Sequence, residues 1–210
     1  MCNKDMFNKQ NLHDSLAALG VSSPGDIFSE LADAYGEPTR HYHTAQHVSE
    51  CLKHFSAYRE NAHYPAEIEV AIWFHDAIYD STKSDNEEQS AQWARRYLTE
   101  NTVAPQSVER IVEMIVATKT HQSQSADSAL MVDIDLGILG ASADAFEIYD
   151  AAIRKEFHWV PTAQYCLGRS QVLSSFLERE TIYQTEAMRD LYEMQARANL
   201  SRRIKELAID

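Results

Sequence analysis

The chain has 210 residues with a formal net charge of -13, and 44% of its residues are hydrophobic and 24% charged. That length and composition suit one sizeable soluble domain with its own core. The acidic balance argues against a nucleic-acid backbone as partner, which would require a basic stripe. It leaves room for a small anionic substrate, because a metal and a few local cations reverse the field inside one cleft.

Only 6 glycines and 5 prolines are present, which favours long helices over tight turns. The N-terminal stretch MCNKDMFNKQNLHD is polar and lacks the apolar core of a signal peptide. No apolar run approaches the ~18 residues of a membrane span, so a cytoplasmic protein without membrane attachment is expected. Cysteines at 2, 51 and 166 are odd in number and scattered, which suggests neither a disulfide framework nor a cysteine zinc site.

Helical periodicity recurs along the chain. Residues 25–35 carry Ile27, Phe28, Leu31 and Tyr35 on one face, and residues 44–60 carry Val48, Cys51, Leu52, Phe55 and Tyr58. A helix over 65–79 opens at Pro65, a residue suited to a first turn. The next, over 87–100, opens with two glutamates, favourable at a helix N-terminus. Pro105 opens a helix over 105–119 with Val108, Ile111, Val112, Ile115 and Val116. Residues 127–139, 143–158, 161–179 and 184–206 also read as helices, and no segment alternates as a strand. With no repeat or linker in evidence, a single all-α domain spanning 1–210 is predicted.

Several polar groups sit where an apolar core is expected. HYHTAQHV places His43 and His47 four apart, about one helical turn. AIWFHDAIYD sets His75 and Asp76 inside an apolar run, and MVDIDLGILG does the same with Asp133 and Asp135. Charge away from water is costly unless it is paired or bound to a metal. Imidazoles and carboxylates together suit zinc, manganese, iron and similar divalent ions. Each piece alone has a plainer explanation: a structural hydrogen bond, a cap, half of a salt bridge. The combination is stronger, since three separate helices each carry an unexplained polar group.

His47, His75-Asp76 and Asp135 resemble the H…HD…D signature of the HD-domain superfamily of metal-dependent phosphohydrolases. RHYHTAQHV, WFHDAIYD, NEEQSA, ATKTH, DIDLGILG, IRKEF and ARANL, running from residue 40 to 200, together resemble one subfamily of about this length. The resemblance implies a helical bundle with a central metal site, its core over about 40–140 and further helices over about 143–206. It implies one divalent ion (Mn, Fe, Co, Ni, Zn or Mg) held by His47, His75, Asp76 and Asp135. Asp135 is preferred to Asp133 because the superfamily's last aspartate precedes a short apolar run, here Leu136 to Leu139.

The implied activity is phosphate release from a small phosphorylated compound, such as a nucleotide, by a metal-activated water. For the anion, Lys119 and His121 of ATKTH and His43 of HYH are the candidate contacts, with Tyr42 beside them. Lys119 reads equally as a cation at a helix C-terminus, and Arg40 reads as half of a surface ion pair. For acid–base work the resemblance favours Asp80 and Glu87, soon after the His-Asp pair. Glu87 reads equally as a first-turn acid with Asn86 as its N-cap, and Asp80 as a turn cap with Ser81. Arg154, Glu156, Arg197 and Asn199 read as structural, as do Trp73, Phe74 and Tyr79. A homo-oligomer is compatible with all of this.

Two other functions stay open. Some HD proteins resemble di-iron oxygenases, but those need more histidines between the HD pair and the last aspartate, where this chain has only His121. The other is a non-catalytic metal-binding sensor, in which a missing ligand would be expected; none of the four is missing.

Overall fold

The computed structural model describes residues 6–208, and all regular structure among them is helical. In chain order the helices are α1 (Lys9–Ala18), α2 (Ile27–Tyr35), α3 (Ala45–Tyr58), α4 (Pro65–Phe74), α5 (Asn86–Glu100), α6 (Pro105–Thr120), α7 (Ala126–Asp135), α8 (Ala143–Glu156), α9 (Thr162–Leu177) and α10 (Glu186–Leu207). None is long and apolar enough to cross a membrane. The chain divides into two compact units at Ile134 and Asp135.

In the first unit α4 is the core helix. Ile68, Val70, Ala71, Ile72, Trp73 and Phe74 are all buried, so apolar side chains bury α4 on several faces at once, as in a surrounded helix. It packs against α1, α3, α5 and α6. Its N-terminus is closed from outside: the Asp127 carboxylate accepts from the backbone N–H groups of His63 and Tyr64, each at 2.8 Å. Glu67, on its first turn, is buried and takes Arg110 of α6 in a two-pronged pair at 2.6 Å.

α4 ends at Phe74, shorter than the 65–79 expected from its apolar run. The carbonyls of Asp76 and Ala77, which would accept further helical bonds, are instead taken by Arg40. The Ser90 hydroxyl accepts from the Ile78 N–H and donates to the Ile78 carbonyl. Tertiary bonds therefore turn the chain immediately after His75. The loop that follows is closed by Asn86, whose amide accepts from the Asp80 N–H and donates to the Asp80 carbonyl, both at 3.0 Å.

α1 lies in a segment with no predicted helix. Its buried side is narrow, comprising Leu12, Ser15 and Leu16, and the Asn8 side chain caps it by accepting from the Asn11 N–H. The expected 44–60 helix ends as α at Tyr58 and finishes in a 3-10 turn, Arg59–Asn61. The expected 127–139 helix is α only to Asp135 and continues as the 3-10 segment Leu136–Gly140.

In the second unit that 3-10 segment packs against α10 and α8, and α10 against α9. Asn199 of α10 donates to the carbonyls of Leu139 and Ala141, and the Tyr183 hydroxyl donates to that of Leu136. Gly140 is required here: a Cβ on it would lie 2.5 Å from Tyr192 Cβ and 2.8 Å from the Tyr192 carbonyl oxygen. Buried Asp150 is held between Arg169 and Arg203. Arg197 donates to the carbonyls of Leu177, Arg179 and Glu180, and Arg154 to those of Phe157 and Val160. Arg154 of IRKEF and Arg197 and Asn199 of ARANL thus tie helices to loops.

Candidate metal centre

His47 lies in the first turn of α3, after Thr44 in extended conformation at the N-cap. His75 follows the last residue of α4. Both rings are buried. Their Nε2 atoms are 3.1 Å apart. An Asp76 carboxylate oxygen lies 3.0 Å from His75 Nε2 and 3.6 Å from His47 Nε2.

His75 Nδ1 lies 2.9 Å from the carbonyl of Ile72. A carbonyl only accepts, so Nδ1 carries a proton, and Nε2 is the nitrogen that faces His47 and Asp76 and that offers a lone pair in the neutral ring. This outer hydrogen bond is the arrangement that orients a metal-ligating imidazole. Burial pushes the Asp76 carboxyl up, but the His75, His43 and His47 rings around it outweigh that and hold it well below the usual range. The carboxylate is therefore the ionised form at neutral pH.

Asp135 is the last residue of α7, whose preceding residues all belong to the first unit, and the helical backbone places it. One donor atom from each of His47, His75 and Asp135 lies within 4.8 Å of the other two. Asp133, two residues earlier, points ~200° away around the helix and is fully buried. Of the two acids in this apolar stretch, Asp135 is the one grouped with the histidines among the described residues. Two imidazole nitrogens grouped with an Asp135 oxygen, with the ionised Asp76 carboxylate beside both histidines, form a donor set that fits a borderline divalent ion.

The remaining candidates fall into two groups. Tyr42 and His43 surround the centre. The Tyr42 ring is 4.7 Å from the His47 ring and 5.1 Å from that of His43. The His43 ring stacks on Tyr79 at 4.1 Å. Tyr79, which the sequence suggested as plain core, is thus half-buried packing for a site residue, whereas Trp73 and Phe74 are fully buried.

Lys119, Asp80, Glu87 and His121 are placed by local structure. Lys119 is exposed at the end of α6, where its ammonium donates to the Glu88 carboxylate and the Ser84 carbonyl. The Glu88 hydrogen bond raises the Lys119 pKa. Asp80 accepts from the backbone N–H and the hydroxyl of Thr82, at 2.9 and 2.7 Å. These bonds lower its pKa. The turn cap anticipated with Ser81 is therefore made with Thr82. Glu87 is half-buried in the first turn of α5. His121 ends α6 in the left-handed conformation, φ 51° and ψ 42°, uncommon for a residue with a Cβ.

Arg40 corrects an expectation. It does form an ion pair, but not from the surface: its own side chain is buried, 1% exposed. It reaches the exposed Glu37 at 2.9 Å, but its other donors go to backbone carbonyls of His43, Asp76 and Ala77. Nothing in the local sequence marks it as buried beyond its place directly before an aromatic, histidine-rich segment. Cys51 is a second neighbour that sequence reasoning left aside: its buried thiol lies 3.8 Å from the His47 ring nitrogens. Cys51 and Cys166 are not disulfide-bonded, and Cys2 lies outside the described residues. No family model matches this chain, and neither a curated protein nor a solved structure matches it.

Proposed function

We propose that this protein is a metal-dependent phosphohydrolase that releases phosphate from a small phosphorylated compound, such as a nucleotide, with one divalent ion held by His47, His75, Asp76 and Asp135. The observation that carries the reading is the meeting of two buried imidazole Nε2 atoms 3.1 Å apart, one with its proton placed on the far nitrogen by the Ile72 carbonyl. Two imidazoles and a carboxylate brought together this way in an apolar core are accounted for by a cation that joins them.

When bound, such an ion lowers the pKa of a water and polarises a phosphoryl oxygen. The chain's own residues account for the rest. Asp76 stays ionised among the histidines and supplies negative charge without a proton to lose. Tyr42 and His43 line the approach and contact the substrate, with His43 held in orientation by the Tyr79 ring. Of the two proton-transfer candidates Glu87 is preferred, because the Asp80 carboxylate already serves the Thr82 turn. Lys119 supplies positive charge for the anion after exchanging Glu88 for it, and the His121 ring contacts the anion beside it.

The test is a screen of phosphomonoesters, nucleotides and cyclic nucleotides with the protein loaded separately with manganese, cobalt, nickel, zinc and magnesium. Phosphate release by the wild type that His75→Ala abolishes is the expected result. Equal release by His75→Ala, or none with any ion and substrate, contradicts the reading.

A further inference from the structure

We infer that Arg40 is a positioning residue of this centre, setting the spacing between the segment that brings in His43 and His47 and the turn that brings in His75 and Asp76; the inference rests on the metal-site reading above. The two segments are distant in sequence and neither is helical where they meet. Residues 40–44 precede α3, and residues 75–77 follow α4. Arg40 Nη1 donates to the carbonyls of His43 and Asp76, and Nη2 to that of Ala77 at 3.0 Å. One planar guanidinium thus holds a carbonyl from each side.

The choice of acceptors is informative. Asp76 offers Arg40 its carbonyl, while its carboxylate faces the two histidines. A guanidinium bound to that carboxylate would compete with a cation for it. The anchoring carboxylate is instead Glu37, 49% exposed on the outer side. Two rings complete the enclosure: the Arg40 guanidinium carbon lies 5.3 Å from the Tyr35 ring and 5.7 Å from the Tyr79 ring. Tyr79 in turn stacks on His43. Elsewhere in this unit an arginine that merely joins helices looks different: Arg110 pairs with the carboxylate of Glu67. A lysine at position 40 keeps the charge but has one nitrogen and no plane, so it does not span the same carbonyls.

The test compares wild type, Arg40→Lys, Glu37→Ala and the control Arg110→Lys by two readouts. The first is Co(II) affinity and the Co(II) visible spectrum. The second is the metal-free long-range proton–nitrogen spectrum of the histidine rings. Arg40→Lys is expected to weaken Co(II) binding by about 10- to 100-fold, the range for loss of a residue supporting metal ligands. It should also alter the Co(II) spectrum and move the ring signals of His43, His47 and His75 while leaving those of His63 and His158 in place. Arg110→Lys should lower stability and move none of these three. If Arg40→Lys does not fold, Glu37→Ala decides, since its loss loosens the same guanidinium from an exposed position; a smaller shift of the same three signals is expected. Wild-type Co(II) affinity and unmoved His43, His47 and His75 signals in a folded Arg40→Lys, or in Glu37→Ala when it alone folds, overturn the inference. If the wild type itself binds no Co(II), the metal reading fails, and the ring signals still decide the placement of Arg40.

Discussion

His47 Nε2 and His75 Nε2 face each other at 3.1 Å, brought there from the first turn of α3 and the end of α4. Because the Ile72 carbonyl engages His75 Nδ1, Nε2 is the His75 nitrogen that meets a cation. A ligand that binds only the folded state stabilises it, by about 2.7 kcal/mol at a hundred times its dissociation constant. Zinc or manganese should therefore raise the melting temperature of the wild type and leave that of His47→Ala unchanged. Thermal unfolding with and without a chelator measures this. An equal rise in both proteins points to binding elsewhere.

Asp76 ties stability to pH. Its folded pKa is depressed by the surrounding histidines despite burial, so its contribution is present above the ordinary aspartate value of about 3.9 and is lost as pH falls through the folded value. Asp76→Asn should flatten the acid limb of the stability profile below about pH 4 relative to wild type. Urea midpoints between pH 3 and 6 check this; parallel limbs in the two proteins contradict it.

Asp127 supports the same helix from its other end. Asp127→Ala leaves the His63 and Tyr64 N–H groups without their acceptor, at a cost of about 1–3 kcal/mol. A lowered urea midpoint is expected, and an unchanged one removes Asp127 from the account of how α4 is placed.

Gly140→Ala sets a Cβ 2.5 Å from Tyr192 Cβ. The obstacle includes backbone, so the 3-10 segment must shift, at about 1–3 kcal/mol. A wild-type midpoint would show that the segment yields freely.

The helices most legible in the sequence were those with a proline start and dense apolar positions, α4 and α6. α1 was not, because two leucines in a polar stretch leave its burial to tertiary packing. The end of α4 was invisible for a related reason: the residues after His75 are apolar enough to continue a helix, and the turn is made by Arg40 and Ser90 from elsewhere in the chain. His47, His75 and Asp135 were legible as polar residues in apolar surroundings. Arg40 and Tyr79 were not, since an arginine's burial depends on which carbonyls reach it and a tyrosine's role on what its ring meets. Lys119 carried a charge of the right kind, but sequence gives no sign that Glu88 and Ser84 engage it.

Metal content of the protein purified without added metal or a histidine tag, beside Asp135→Ala, tests the central claim most directly. One divalent ion per chain, lost in the variant, is the predicted result. No ion in the wild type even after divalent metals are supplied would contradict the claim that His47, His75, Asp76 and Asp135 form a metal centre.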